Sequence, residues 1–461
     1  MSRLVIVSNR VTKVNHRGAQ AGGLVVGLAG ALKEKSGLWF GWSGDVNENP
    51  SDEPRLSSSD GISYATVDLS PRDYAEYYNG FSNAMLWPLF HYRLDLVEFH
   101  RRDYRGYRRA NTRFAKILTN LLEPDDLIWV HDYHLIPLAE ELRRLGVRNK
   151  IGFFLHTPFP SHQIMVALPQ HREIVSALSA YDVVGFQSSI DLRTFSHYIK
   201  FETHGVFQED KHLIRAFRHM FYADKFPIGI DTANVEAMAR SREHAARAER
   251  LTESLRGRSL IIGVDRLDYS KGLVHRFRSF ELFLNRNKDW RSKVVLLQIA
   301  PRTREDVAQY EEIRHELESE AGRINGAFAE VDWVPIRYLN RSFTRETLAV
   351  FYRQARVGLV TPLRDGMNLV AKEYVAAQNP TDPGVLVLSR FAGAAEQLTD
   401  SLIVNPYDED RVAATLGRAL EMSRKERRAR WKATMNVIRR HDIDAWRRNF
   451  LRVLARAPFS L

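Results

Sequence analysis

The segment Val360–Ala377 (VTPLRDGMNLVAKEYVAA) places two carboxylates around the predicted start of a helix. Asp365 lies on an Asp-Gly turn that follows a predicted strand, and Glu373 comes about two helical turns later. The first N–H groups of the helix, near Asn368 to Val370, lack partners within the helix and lie at the positive end of its dipole, so they favour an anion. Carboxylates on either side of an anion suit polyhydroxylated rings that flank a phosphate. The segment therefore predicts binding of a sugar nucleotide.

A second loop carries two cations that suit the same ligand. Arg266 and Lys271 lie on the loop GVDRLDYSKG, between the predicted strand Leu260–Val264 and a helix. Two such cations can neutralise a departing pyrophosphate without a metal ion. The Ser-Lys-Gly sequence resembles a phosphate loop, but it lacks the full glycine spacing of that motif.

Further anion sites are indicated at two other strand ends. Arg10 ends the first predicted strand, and the paired glycines Gly22 and Gly23 then open a helix, where the backbone can approach a phosphate closely. In QIAPRTR, Arg302 and Arg304 flank a threonine after another strand. Only one of these two arginines needs to face a ligand, and periodicity does not choose between them.

Polar and aromatic side chains follow two more strands. Asp132 lies within WVHDYH and is predicted to accept a hydrogen bond from a hydroxyl group. The flanking His131 and His134 raise the question of a metal site, but their spacing lacks a clear third ligand. His156 follows the next strand, in HTPFP. The aromatic segment 77–93 suits stacking on sugars, although a core or lid role is at least as compatible with most of its rings.

Composition limits the class of protein. The chain has 461 residues, 44% of them hydrophobic and 27% charged, which predicts two folded domains. There are no cysteines, so disulfides and thiolate chemistry are excluded. No apolar run is long enough for a membrane span, and the first residues enter a strand at once, so we expect a cytoplasmic protein with no membrane partner. The net charge of +11 makes nucleic acid a partner to consider. No nucleic-acid motif accompanies the charge, so no nucleic-acid partner is expected.

Short apolar runs alternate with amphipathic segments along the chain, and the runs are continuous, as in parallel strands covered on both faces. The predicted strands are Leu4–Ser8, Leu127–His131, Ile151–Leu155, Val183–Phe186, Leu260–Val264, Val294–Ile299, Val357–Val360 and Val385–Leu388. The predicted helices include Leu24–Lys35, Ala139–Leu145, Leu273–Asn285 and Glu305–Glu318. This order predicts an α/β fold of two doubly wound domains. The alternation breaks in the polar stretch 232–258, so we place the boundary near residue 230.

Taken together, these segments resemble the trehalose-6-phosphate synthase family of retaining GT-B glycosyltransferases. The matching blocks run through almost the whole chain: RLVIVSNR, AGGL, FHYR, HDYH, HTPFPS, FPIGID, RLDYSKGL, DGMNLVAKEYVAAQ, LSRFAGAAEQL and IVNPYD. The resemblance implies two Rossmann-like domains facing a central cleft, with an acceptor-binding domain over 1–230 and a nucleotide-sugar-binding domain over 231–440. A last helix over 441–461 would cross back to the first domain. The resemblance also implies UDP-glucose and glucose 6-phosphate as substrates, with no metal and no cofactor.

The resemblance assigns residues to each substrate. Those implied for UDP-glucose are Gly22, Gly23, His156, Arg266, Lys271, Phe343, Asp365, Gly366, Met367, Asn368, Leu369, Val370 and Glu373. Those implied for glucose 6-phosphate are Arg10, Tyr78, Trp87, Asp132 and Arg304, so the family match selects Arg304 over Arg302. The residues implied to be catalytic are Asp132, His156, Arg266, Lys271 and Asp365.

The implied mechanism is a front-face transfer, because no carboxylate suited to act as a nucleophile is evident. UDP would leave with its charge held by Arg266, Lys271 and the helix near Leu369, and the acceptor hydroxyl would attack from the same side. A related transferase with another acceptor, such as glycerol 3-phosphate, is the nearest alternative, and a catalytically silent sensor of sugar phosphate is the second. The sequence leaves open the nucleotide base of the donor and whether the chain forms a dimer or tetramer.

Overall fold

The computed structural model describes residues 2–11, 23–35, 37–208, 212–241, 245–303 and 308–458. These residues form two compact units. The first comprises the described residues of 2–227 together with 446–458, and the second comprises those of 228–445. Each unit is built around one sheet of mainly parallel strands with helices. The predicted α/β fold class with two doubly wound sheets is therefore confirmed.

The first unit contains ten strands in one sheet. The strands are β1 (Leu4–Arg10), β2 (Leu38–Val46), β3 (Arg55–Ser59), β4 (Ile62–Leu69), β5 (Leu127–His131), β6 (Lys150–Phe154), β7 (Val183–Phe186), β8 (Val206–Phe207), β9 (Leu213–Ala216) and β10 (His219–Lys225). The α-helices are α1 (Gly23–Lys35), α2 (Pro71–Asp73), α3 (Trp87–Phe90), α4 (Arg101–Thr119), α5 (Leu138–Arg144), α6 (His162–Met165), α7 (His171–Leu178) and α8 (Ser189–Thr203). A π-helical segment, Tyr74–Leu86, joins α2 to α3.

The strand order of this sheet is β3-β4-β2-β1-β5-β6-β7-β10-β9-β8. Within it, the six parallel strands β4-β2-β1-β5-β6-β7 have the 3-2-1-4-5-6 order of a Rossmann fold, with the reversal between β1 and β5. Ser8 pairs with His131, and His131 pairs with Phe154, so β5 and β6 end level with Ser8, and β1 continues to Arg10. The segments after Ser8, His131 and Phe154 therefore lie at one edge of the sheet.

The second unit contains six strands, all parallel. They are β11 (Ser259–Val264), β12 (Val294–Ile299), β13 (Ile336–Leu339), β14 (Val357–Val360), β15 (Val385–Ser389) and β16 (Leu402–Val404). The α-helices are α9 (Thr232–Arg240), α10 (Ala245–Leu255), α11 (Leu273–Arg286), α12 (Ala308–Phe328), α13 (Arg345–Gln354), α14 (Leu369–Ala377), α15 (Glu409–Glu421) and α16 (Arg424–Arg440). The order β13-β12-β11-β14-β15-β16 again reverses once, between β11 and β14. Ligands of such sheets bind beyond the strand ends at this reversal.

The last helix, α17 (Ile443–Arg456), brings aromatic side chains onto the sheet of the first unit. The Phe450 ring stacks on Trp129 with 4.5 Å between ring centroids. A β-carbon at Gly152 or Gly185 would come within 2.8 Å of the Phe450 ring, so both glycines make room for it. Burial of large rings of this kind is the dominant source of core stability.

The sequence prediction missed some elements and misplaced some limits. The strands β2, β3, β4, β8, β9, β10, β13 and β16 were not among the predicted strands. The helix α12 extends to Phe328 rather than ending at Glu318. The first strand continues to Arg10, and β6 ends at Phe154, so Leu155 was wrongly included in it. Among the described helices, none is long and apolar enough to cross a membrane.

Candidate active site

In the second unit, the turn after β14 forms the predicted helix N-terminus. Helix α14 begins at Leu369, and Asn368 caps it: its side chain accepts a hydrogen bond from the Ala371 N–H, 3.4 Å away. Asn368 adopts a left-handed backbone with φ of 69°. Its Nδ2 also donates to Asp365 Oδ2 at 3.1 Å. The cap therefore fixes the Asp365 carboxylate beside the positive end of the helix dipole.

A second segment holds this turn in place through backbone contacts. The Asp365 N–H donates to the Phe391 carbonyl at 3.1 Å, and the Ala394 N–H donates to the Met367 carbonyl at 2.9 Å. A β-carbon at Gly393 would lie 1.9 Å from the Gly366 carbonyl oxygen, so the approach requires glycine. The segment after β15 therefore holds the turn in place. No part in the site was predicted for this segment.

Lys271 and Asp365 form an ion pair at the reversal of strand order. Their Nζ and Oδ2 atoms are 2.5 Å apart, and their side chains are only 10% and 16% exposed. The Leu363 N–H also donates to the Ser270 carbonyl at 2.8 Å, which ties the two loops together. Arg266 lies on the same loop as Lys271, with its side chain exposed. The structure therefore brings Lys271, Asp365 and Asn368 together, next to the N-terminus of α14.

A buried arginine supports the loop that carries Lys271 and the turn that carries Asp365. Arg276, on α11, is 1% exposed. Its guanidinium donates to Asp265 at 2.6 Å, to Gln298 at 2.8 Å and to Thr361 at 3.0 Å. These three partners lie at the ends of β11, β12 and β14. Burial raises the pKa of Asp265, and the positive charges of Arg276 and Lys271 act in the opposite direction. Arg276 was not predicted to support the site, although an arginine on the apolar face of a helix is a detectable signal.

Glu373, on α14, lies near Arg345, the first residue of α13, which was not among the predicted site residues. Arg345 Nη2 is 3.9 Å from Glu373 Oε1. Burial raises the pKa of Glu373, and Arg345 offsets part of that rise. Phe343 lies just before α13, where its ring packs on Phe351 with 5.5 Å between centroids and under the Arg341 guanidinium. The segment 343–345 therefore supplies both an aromatic ring and a cation.

Helix α14 is anchored by a buried lysine, Lys372. Lys372 Nζ donates to the Ile228 carbonyl at 2.6 Å and to Gln397 Oε1 at 2.7 Å. Burial lowers the pKa of Lys372 to about 7. These two bonds fix the rotation of α14 about its axis, which determines where Glu373 points.

In the first unit, Arg10 and Tyr78 are linked through one indole ring. The Arg10 guanidinium lies 5.7 Å from the centroid of Trp42, and Trp42 lies 5.2 Å from the Tyr78 ring. Gly44 has φ of 98°, and a β-carbon there would come within 2.6 Å of the Arg10 guanidinium. Gly44 therefore provides the space that Arg10 occupies, a role that the sequence did not suggest.

Tyr78 and Trp87 both border a row of rings from the HDYH segment. The Tyr78 ring stacks on His134 at 5.9 Å, and His134 lies 4.0 Å from Tyr133. Trp87, 6% exposed, lies 5.8 Å from Tyr133. Tyr78 lies within the π-helical segment, and Trp87 is the first residue of α3. π-Helical turns are often found at functional sites.

Asp132 follows β5 in a backbone conformation that is costly for any residue except glycine. Its φ is 75° and its ψ is 165°. Its Oδ1 accepts a hydrogen bond from the His156 N–H at 3.2 Å. His156 Nε2 lies 3.0 Å from His131 Nδ1. Burial lowers the pKa of His156 to about 3, so the imidazole is neutral at physiological pH.

The remaining predicted residues are only partly described. Gly22 and Arg304 lie outside the described residues, and Gly23 is the first residue of α1. Arg302, the alternative to Arg304, is exposed. Within the described ranges, no group of three or more histidine, aspartate or glutamate side chains is arranged to hold a metal ion.

A family model extends over nearly the whole chain. The model of glycosyltransferase family 20 matches residues 2–456. This chain belongs to glycosyltransferase family 20. The trehalose-6-phosphate synthase of Klebsiella pneumoniae is 50% identical to this family 20 member over 451 residues, covering 98% of this chain and 94% of that protein.

Solved structures with bound ligands are similar to this family 20 member along its whole length. The trehalose-phosphate synthase of Burkholderia xenovorans in complex with glucose-6-phosphate matches with a TM-score of 0.95 and 51% identity, covering 98% of this chain and 100% of that one. The E. coli protein bound with UDP-2-fluoro glucose matches with a TM-score of 0.94 and 48% identity, covering 98% and 99%.

Proposed function

We propose that this chain is a retaining glucosyltransferase that transfers glucose from UDP-glucose to glucose 6-phosphate, giving α,α-trehalose 6-phosphate and UDP. The observation that carries the proposal is full-length similarity, at about half identity, to synthases that hold these two ligand types. The site geometry supports it, since the strand-order reversal of each sheet carries the groups that such ligands need.

The second unit is the proposed site of the nucleotide sugar. Lys271 and the N-terminus of α14 suit the diphosphate, because a cation and unpaired N–H groups both stabilise the charge that grows on the leaving UDP. Arg266, on the same loop, would contribute the second cation. Asp365 is proposed to bind hydroxyls of the donor glucose, and Glu373 those of the ribose. The other residues proposed to bind the donor are Phe343, Gly366, Met367, Asn368, Leu369 and Val370 of the second unit, Gly23 and His156 of the first, and Gly22.

The first unit is the proposed site of glucose 6-phosphate. Arg10 supplies a cation for the phosphate, Tyr78 and Trp87 supply rings, and Asp132 accepts a hydroxyl hydrogen. Attack by the anomeric hydroxyl of the acceptor on the face that UDP leaves retains the configuration, and the leaving phosphate oxygen takes the proton. Catalysis then consists of stabilising the charge on the leaving UDP and positioning the two substrates. Because burial lowers the pKa of His156 to about 3, its ring is a poor base, and we propose that it orients the donor sugar instead. The proposed compartment is the cytoplasm.

A nucleotide-release assay across donors and acceptors tests the proposal. We expect rapid UDP release only when UDP-glucose and glucose 6-phosphate are both present. Faster release with glycerol 3-phosphate would indicate a sibling transferase, and ligand binding without release would indicate a sensor. Faster release from ADP- or GDP-glucose would correct the identity of the donor.

Replacing Glu373 with glutamine is expected to raise the KM for UDP-glucose about 10- to 150-fold, because a ribose hydroxyl loses a charged acceptor. The KM for glucose 6-phosphate should change little. Glu346→Gln, which removes a carboxylate from the neighbouring helix α13, is the matched control. Initial rates at varied donor concentration measure the effect, and an unchanged donor KM would remove Glu373 from the site.

Replacing Gly44 with alanine is expected to raise the KM for glucose 6-phosphate about 10- to 100-fold, because the new β-carbon displaces the Arg10 guanidinium. Gly61→Ala is the control: Gly61 also has a positive φ, of 76°, but no atom lies within 4 Å of the added β-carbon. Both variants carry the same kind of backbone strain. Equal KM changes in the two would show that strain, and not Arg10, is responsible.

Arg304 tests the identity of the acceptor. If it binds the phosphate of glucose 6-phosphate, Arg304→Ala should lower kcat/KM for that acceptor about 100-fold or more. Slow transfer to unphosphorylated glucose should be nearly unchanged. Arg302→Ala should cost less than about fivefold, as expected for an exposed arginine. A large loss at Arg302 alone would mean that the phosphate contacts that arginine instead.

A further inference from the structure

The buried side chain of His131 contacts His156 through a single pair of ring nitrogens. His131 ends β5 and is 1% exposed, whereas His156, after β6, is partly exposed. His131 Nδ1 lies 3.0 Å from His156 Nε2, with 28° between the ring planes. One hydrogen is shared between the two nitrogens, so the tautomer of either ring dictates that of the other.

The rest of the His131 ring lies among aromatic side chains. Trp129 is 4.6 Å away between centroids, Trp446 of α17 is 6.3 Å away and Phe154 is 6.4 Å away. The Nε2 atom of His131 is buried and has no hydrogen-bond partner among the described residues. An imidazole in such surroundings costs stability relative to an apolar ring. Its hydrogen bond to His156 is the contact that an apolar residue would lack.

The unpartnered nitrogen indicates where the hydrogens lie. A hydrogen on His131 Nε2 would be a buried donor without an acceptor, and buried N–H groups without partners are rarer than under-used acceptors. The hydrogen therefore lies on His131 Nδ1 and is donated to His156 Nε2. His156 then carries its own hydrogen on Nδ1, the nitrogen that remains for a ligand.

The charge state of the pair agrees with this assignment. Burial lowers the pKa of both rings, and each would repel a proton on the other, so both are neutral. Asp132, which accepts the His156 N–H, is the ionisable neighbour in contact with this segment. That bond holds the backbone of His156. Its ring packs on Phe154, with 4.7 Å between centroids, and lies 6.3 Å from Trp446, but these carbon-lined contacts do not select a tautomer, whereas the nitrogen of His131 does.

We propose that His131 is a positioning residue that fixes the ring orientation and tautomer of His156, so that His156 presents an Nδ1–H donor to a hydroxyl group of the donor sugar. This inference rests on the proposed function for the identity of the sugar. The arrangement of the two rings does not depend on it.

Two variants of His131 test the proposal. His131→Leu removes the hydrogen bond, and His131→Asn keeps an N–H donor near the position of Nδ1. We expect kcat/KM for UDP-glucose to fall about 10- to 100-fold in His131→Leu and to recover to within about fivefold of the wild type in His131→Asn. The KM for glucose 6-phosphate should stay unchanged in both. Thermal unfolding of each variant checks that the fold is retained.

Nitrogen NMR of protein labelled with ¹⁵N-histidine reads the tautomer directly, without substrates. We expect the hydrogen of His156 on Nδ1 in the wild type and a mixture of tautomers in His131→Leu. A hydrogen on Nε2 in the wild type would overturn the proposal, as would equal losses of activity in both variants at equal stability. If the enzyme releases no UDP while the NMR result holds, the proposed function fails and the assigned tautomer stands.

Discussion

Replacing Lys271 with glutamine is expected to lower kcat/KM for UDP-glucose about 10²- to 10³-fold, the cost of removing one preorganised charge at a developing anion. Two effects add. The diphosphate loses a cation, and the Asp365 carboxylate, which is 2.5 Å from the Lys271 ammonium, keeps among the described side chains only its hydrogen bond from Asn368. An unpaired carboxylate beside the leaving phosphate repels it.

Initial-rate kinetics measure this loss, and Lys288→Gln is the control for a lost positive charge on the same unit. Lys288 is exposed. Its replacement should leave kcat/KM nearly unchanged. A fall of less than about tenfold in Lys271→Gln would show that Arg266 and the helix N-terminus stabilise the leaving group without it.

Replacing Asp132 with glycine is expected to abolish most activity while relieving strain. The backbone at φ 75° and ψ 165° is nearly exclusive to glycine and costs about 1–3 kcal/mol for other residues. Asp132→Gly should therefore be more stable than Asp132→Ala by about 1 kcal/mol, after allowing for the greater chain entropy of glycine. Both variants lose the carboxylate that holds His156, so both should lose about 10²-fold or more in kcat.

Denaturant unfolding and steady-state kinetics on the same preparations separate the two effects. Greater stability of Asp132→Gly together with equally low activity would show that the strain is retained for function. If Asp132→Ala were the more stable variant, the strain would be smaller than the backbone angles indicate. If Asp132→Gly kept near wild-type kcat, the carboxylate would have no role in the reaction.

Most central strands of the two sheets, although not β2 and β4, could be predicted because burial on both faces leaves a continuous apolar run. Val294–Ile299 and Val357–Val360 were predicted with the limits that the structure has. The edge strand Arg55–Ser59 (RLSSS) could not be predicted in this way, because it is largely exposed and carries no apolar pattern. The π-helical Tyr74–Leu86 also lacks a signal that distinguishes it from an ordinary helix.

The placement of the candidate site residues was predictable where they follow central strands, since parallel strands carry their ligands at their carboxyl ends. Lys271 and Asp365, 94 positions apart in the sequence, meet for this reason. The supporting residues Gly44, His131 and Arg276 were not predictable to the same degree. Their roles depend on which side chain occupies the adjacent space, and this is decided by tertiary packing rather than by local pattern.

The stereochemistry of the product tests the central claim most directly. UDP-glucose labelled with ¹³C at the anomeric carbon is incubated with the enzyme and glucose 6-phosphate, and the product is examined by NMR. We predict a single disaccharide phosphate in which the labelled carbon and the anomeric carbon of the acceptor are both α and are joined through one oxygen. A β-configured labelled carbon, a linkage to another hydroxyl of the acceptor, or unconsumed glucose 6-phosphate would contradict the account.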